Sequence, residues 1–257
     1  NFWKIETQNE NYITEKLILA TGSNPKIWEM LQTFGHAIVT PVPSLFTFNI
    51  KDSRTKELPG VSAQVSVKVK DTKLTSTGPL LITHWGMSGP AILKLSAWGA
   101  RILSEKNYQF TIFVNWLNDV DADDVEKALK DLKQEHAKKA VSKKSPFDFP
   151  NRLWESLVLA SNIQEETKWA DLSKIQLQNL ANQLTNSSFQ VNGKSTFKEE
   201  FVTAGGINLK EIKFKTMQSK LHENLYFARE ILNIDAVTGG FNFQNAWTSG
   251  FIVASNF

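Results

Sequence analysis

The chain has 257 residues, 41% of them hydrophobic, enough for one large domain or two modest ones. Its 29 basic and 26 acidic residues leave a net charge of +3, a balance that by itself argues neither for nor against nucleic acid because no global field results. With no aromatics interleaved among the lysines to stack bases, nucleic acid is not expected as a partner. Cysteine is absent, which excludes disulfide staples, thiolate catalysis and Cys-ligated zinc. No apolar run reaches the ~18 residues of a membrane span, and no signal peptide opens the sequence. A cytoplasmic protein without membrane partners is the expectation.

The opening stretch NFWKIETQNENYITEKLILATGS predicts a strand, a polar turn near Asn9–Asn11 and a buried strand at Leu17–Ala20. That buried strand has no earlier partner in the sequence, so the reading begins in the middle of a fold. Asn24-Pro25 then supplies an N-cap and a first-turn proline for a helix with an Ile27, Met30, Leu31, Phe34 stripe ended by Gly35. Strand, turn and helix make one α/β unit.

Two prolines in TPVPSLFTFNI break that pattern, and the period changes to 2. Val61, Ala63, Val65, Val67 and Val69 alternate with polar residues, as a half-buried strand requires. Further strands are predicted near Leu80–Thr83 and Phe110–Val114. In this β region, GMSGP (Gly86–Pro90) approaches a nucleophile elbow but ends in proline, which argues against the strand-to-helix turn. His84, beside Trp85, reads as a hydrogen-bonded structural histidine. His36, His84, His136 and His222 have no metal-ligand spacing, so no metal site is expected.

Helices are expected only between about 120 and 186 within this region. Asp121 caps the first, Pro150 opens the second, and Asp171 or Ser173 precedes a third lined by Ile175, Leu180, Ala181 and Leu184. Lys133, Lys138, Lys139, Lys143 and Lys144 read as a solvated face. Asn192-Gly193 in FQVNGKSTFKEEF then signals a β-hairpin. The expected domains are therefore 1–42 with 204–257 (α/β), 43–119 with 187–203 (inserted β), and 120–186 (a helical insertion).

Near the end, NLYFA predicts a short buried strand, and TGGFNFQNAWTSGF a helix entered through Gly239-Gly240. Residues 243, 246, 247, 250, 251 and 254 form its apolar face, predicted to be buried. The glycine pair lets the backbone bend and lets a ligand approach the first free N–H groups. No Gly-x-Gly-x-x-Gly and no Gly-x-x-x-x-Gly-Lys-Ser/Thr occurs.

Three segments, LILATG, LTSTGPLLITHWGMSGPAILKLS and TAGGINLKEIKFKTMQSKLHENLYFAREILNIDAVTGGFNFQNAWTSG, together resemble a family of bacterial FAD flavoproteins of the glutathione-reductase-like superfamily. That family includes aminoacetone oxidase and the 3-dehydro-bile-acid reductases. The resemblance implies a fold class of α/β plus inserted domain. A partial, Rossmann-like FAD-binding α/β domain would hold an inserted β domain that carries a helical insertion. It implies FAD as cofactor, hydride transfer through the flavin, and a small-molecule substrate that the sequence does not name. By the same resemblance, Thr21 and Gly22 match the Ala-Thr-Gly turn beside the cofactor. Glu230 matches an acid that accepts ribityl hydroxyls, and Gly239, Gly240, Phe241 and Asn242 match the helix start aimed at the pyrimidine end of the isoalloxazine.

The chain also departs from that family. The N-terminal dinucleotide fingerprint of its members has no counterpart here, Arg229 replaces a glycine, and Asn233 and Ala236 replace Asp and Gly. These departures predict that the chain by itself does not retain FAD. They keep open a second reading, a non-catalytic relative that serves as a binding module.

Overall fold

The computed structural model describes residues 2–195 and 202–256. The chain begins with the hairpin β1 (Trp3–Glu6) and β2 (Asn11–Thr14), then β3 (Leu17–Leu19), α1 (Pro25–Thr33) and β4 (Ile38–Ser44). β5 (Thr47–Asn49), β6 (Ser62–Val69), β7 (Thr75–Ile82), β8 (Gly86–Ser88), α2 (Pro90–Trp98), α3 (Ala100–Glu105) and β9 (Gln109–Asn115) follow. Next come α4 (Ala122–Glu135), α5 (Asn151–Ala160), α6 (Lys174–Thr185), β10 (Ser187–Asn192) and β11 (Lys194–Ser195). The chain ends with β12 (Val202–Ile207), β13 (Ile212–Lys213), β14 (Gln218–Ser219), β15 (Leu225–Phe227) and α7 (Phe241–Ala254). It divides into two compact units, Asn1–Ser44 with Phe201–Phe257, and Leu45–Glu200. No helix among the described residues is long and apolar enough to cross a membrane.

In the first unit, a four-stranded sheet runs in the order β13-β14-β15-β3. β15 pairs with β3 in parallel, Leu225 opposite Leu17 and Phe227 opposite Leu19. A separate ribbon joins β4 to β12, and because β12 is its one strand partner among the described residues, Pro41 and Pro43 are tolerated within β4. The two prolines thus lie inside β4. The Asn24 side chain accepts the Lys26 N–H at 3.0 Å and starts α1. Trp28 Nε1 donates to the Ile231 carbonyl at 2.9 Å, fastening α1 to the segment after β15. Buried His36 cross-links three segments of the chain: its Nδ1 lies 2.8 Å from Glu211 Oε2 and its Nε2 3.2 Å from Ser219 Oγ. Trp28, Leu31, Ile207, Phe227, Ile231, Leu232 and Val253 form the core of this unit.

In the second unit, seven antiparallel strands run in the order β10-β9-β6-β7-β8-β5-β11. The first and last of these are consecutive in the chain, separated only by Gly193. Asn192-Gly193 therefore does not form the expected hairpin. β10 pairs with β9, while Lys194 and Ser195 of β11 pair with Phe48 and Thr47 of β5. Gly193 donates to the Tyr108 carbonyl and accepts from the Asn49 N–H, so it sits at the seam where the sheet closes on itself. The remainder of that predicted hairpin arm, 196–201, lies outside the described residues.

The helices of this unit are not confined to the region after residue 120. α2 and α3 precede it, with Ile92, Leu95 and Leu103 fully buried. Pro90 stands at the first helical position, where its missing N–H costs nothing and its fixed φ suits the helix. Gly86–Pro90 is thus a strand-to-helix turn, contrary to the sequence reading of that proline. α4 is capped by Asp121, and α6 by a capping box between Ser173 and Gln176. Ile175 is 69% exposed and lies off the buried face it was assigned to. Trp116, Trp154, Leu157, Leu180 and Leu184 join Val65, Val67 and Val114 in one continuous core, so helices and barrel stabilise each other.

Candidate functional site

The parallel pairing of β3 with β15 brings together two turns that are about 200 residues apart. Both strands end at the same edge, where Ala228 donates its N–H to the Leu19 carbonyl at 3.1 Å. Thr21-Gly22 leaves one strand there and Arg229-Glu230 the other. In parallel sheets this carboxyl end is where ligands bind. Thr21 is exposed, and Gly22 has a φ of 65° with open space where a Cβ would stand. Glu230 is half-buried and has no hydrogen-bond partner among the described residues. Burial raises its carboxyl pKa, and the charge of Arg229 opposes that rise in part. Arg229 keeps a left-handed φ of 71°, and its N–H donates to Ser249 Oγ at 3.0 Å.

Ser249 lies in α7, nine residues beyond Gly240, so the helix start is about 13 Å along the axis from that contact. Gly239 and Gly240 have φ values of 115° and 88°. Gly240 is a left-handed N-cap with nothing within 4 Å of the point a Cβ would occupy, and no side chain caps the helix. The first-turn N–H groups are consequently open to a ligand. Asn242 clamps the loop before them, its side chain accepting from the Ala236 N–H and donating to the Ala236 carbonyl, both at 3.0 Å. Phe241 is exposed beside the glycines.

The helix predicted after Gly240 is present, but its face is reversed. Phe243, Trp247 and Phe251 are 66%, 70% and 73% exposed, whereas Ser249 and Val253 are buried. On a 3.6-residue helix these sets lie on opposite sides. The small side carries the packing against the β15 segment, and the aromatic side faces out.

His84 is exposed and has no hydrogen-bond partner among the described residues, so it is not the bonded structural histidine expected. Its ring lies 6.1 Å from that of Trp85. Ser88 Oγ accepts from Thr47 Oγ at 3.3 Å, with no histidine bonded to it among the described residues.

The family described as HI0933-like protein barrel and H2TH domain matches residues 42–202, well over half of the chain. The chain belongs to the HI0933-like family. Its barrel and helical module coincide with the matched stretch. A ribosomal RNA dihydrouridine synthase of Haemophilus influenzae is 29% identical over 97% of this chain and 62% of its own length. The protein of the same name in Escherichia coli is 28% identical over 94% of this chain and 60% of its own. A 3-dehydro-bile acid delta(4,6)-reductase of Clostridium scindens is 23% identical over 96% of this chain and 63% of its own. The chain thus spans about three fifths of the length of the relatives it matches.

Proposed function

We propose that the chain is the flavin-facing portion of an FAD-dependent oxidoreductase. The observation that carries this reading is the start of α7, where two left-handed glycines leave an uncapped helix N-terminus open to solvent. Such a terminus favours negative charge by about 0.3–2 kcal/mol, which suits the pyrimidine end of a flavin. Glu230 supplies acceptor oxygens with no competing partner among the described residues, as ribityl hydroxyls need, and Gly22 leaves room for a cofactor beside β3. These residues fit the flavin and ribityl parts of FAD. When bound, FAD supplies two-electron hydride chemistry.

The relatives' names share a reaction type. Dihydrouridine and a delta(4,6)-reduced steroid both arise by adding two hydrogens across a C=C bond conjugated with a carbonyl. We take that as the reaction class. The pyrophosphate and adenosine ends of FAD would be held by polypeptide beyond this chain. The test is titration of riboflavin against the chain, followed by quenching of flavin fluorescence. Saturable quenching, weakened severalfold by Gly240→Val and by Glu230→Ala, supports the assignment. Quenching indifferent to both variants contradicts it.

Arg229 favours a second reading. A long side chain stands where members of the resembled family carry glycine, and this suits a non-catalytic relative whose cofactor approach is crowded. Flavin affinity unchanged by Arg229→Gly would remove the reason for it.

A further inference from the structure

The second unit carries an open cleft of about 670 Å³, within the range of small-ligand sites. Its back is the end of β7, with Leu81 and Ile82. One side is the loop Lys56–Gly60, another the turn Thr83–Trp85, and Arg152 at the start of α5 stands at the rim.

The walls are held in place. Gly60 donates its N–H to the Ile82 carbonyl at 2.9 Å, and Thr83 donates to the Gly86 carbonyl at 2.8 Å. Thr83 Oγ in turn accepts the Gly86 N–H at 3.1 Å, and the Trp85 carbonyl accepts the Ile50 N–H at 2.9 Å. Gly86 has a φ of 155°, and a Cβ there would stand 2.0 Å from the Phe48 carbonyl oxygen. This turn is fixed by its neighbours, yet it presents Trp85, 46% exposed, and the exposed His84 to solvent. Exposed Lys56 and Arg152 add two cations against one carboxylate, Glu57, which lies 4.0 Å from Lys56. Arg152 donates through Nη2 to the Glu57 carbonyl, which ties the guanidinium to the loop side of the cleft and leaves other N–H groups for a ligand.

The exposed Trp85 indole, with the His84 ring tilted 52° beside it and two cations near, in a cleft open to water, suits a ligand with a planar ring and a phosphate. We propose that this cleft binds a nucleotide, with the base against Trp85 and His84 and the phosphate on Lys56 and Arg152. A steroid would call for a more enclosed apolar pocket. The balanced net charge is no obstacle, since a local pair of cations suffices for one phosphate. The inference deepens the proposed function, from which it takes only the choice of uracil as the base to test.

The test is binding of a labelled ten-residue oligouridylate, followed by fluorescence anisotropy on the flavin-free chain, with UMP and inorganic polyphosphate as competitors. Trp85→Ala should weaken binding about tenfold to a hundredfold, while Trp85→Phe retains most of it and verifies that the turn still folds. Arg152→Gln should weaken binding severalfold and flatten its salt dependence. Competition by UMP identifies a free nucleotide as sufficient, and competition by oligouridylate alone identifies a strand; either supports the cleft. No binding at millimolar oligouridylate overturns the proposal. So does wild-type affinity in Trp85→Ala, or loss of binding confined to Lys139→Gln with Lys144→Gln on the helical module. Riboflavin quenching, read separately, reports on the flavin assignment alone.

Discussion

Arg229 rests its backbone N–H on the Oγ of Ser249 at 3.0 Å while holding a φ of 71°. Ser249 Oγ donates onward to the Asn245 carbonyl at 2.7 Å, so one hydroxyl ties the turn after β15 to the third turn of α7. Replacing it leaves a part-buried N–H without a partner. Ser249→Ala should cost about 1–3 kcal/mol in urea denaturation.

The same φ makes Arg229 a strained position. A non-glycine residue in the left-handed region costs roughly 1–2 kcal/mol, partly offset by the extra freedom glycine has in the unfolded chain. Arg229→Gly should therefore raise stability by about 0.5–1 kcal/mol in the same assay. A fall in stability would show that the Arg229 side chain makes a contact worth more than the strain.

Glu230 gives stability a pH dependence. Burial raises its pKa from the ordinary value of 4.5, with the Arg229 charge opposing in part. The folded state thus holds the proton more tightly than the unfolded state. Its favourable contribution is complete below the ordinary value and is lost as pH rises through the folded pKa. Glu230→Gln should be more stable than the wild type at neutral pH, and the difference should vanish below about pH 4. Paired melting curves at pH 3.5 and pH 7 check the sign.

The two faces of α7 should respond differently. Val253→Ala empties a buried position and should cost about 1–3 kcal/mol, whereas Trp247→Gln, on the exposed side, should stay within about 0.5 kcal/mol. Chemical denaturation of both variants decides whether the aromatic stripe contributes to this chain's own stability.

Local chemistry made many elements legible. Asn24-Pro25, Asp121 and Ser173 mark helix starts because side-chain caps act within one turn, and Val61–Val69 alternates because one face of β6 meets a core. What failed depended on partners distant in sequence. Gly193 looks like a hairpin turn until β5 is seen to take β11, and Pro90 like a breaker until a helix begins on it. α7 carries packing residues on one side and aromatics on the other, so periodicity found the helix and chose the wrong face. At the candidate site, the glycine-led helix start could be read directly. The nearness of Thr21 to Arg229 could not, because a parallel pairing between strands about 200 residues apart creates it.

The central claim is that the start of α7, with Glu230 and Thr21-Gly22, holds the flavin end of FAD. The most direct measurement is the visible absorbance of a hybrid in which this chain replaces the matched part of the Haemophilus influenzae relative, beside that parent and this chain alone. The account predicts a yellow parent, a hybrid with stoichiometric flavin that Gly240→Val and Glu230→Ala deplete, and a colourless chain alone. A folded but colourless hybrid beside a yellow parent would contradict it.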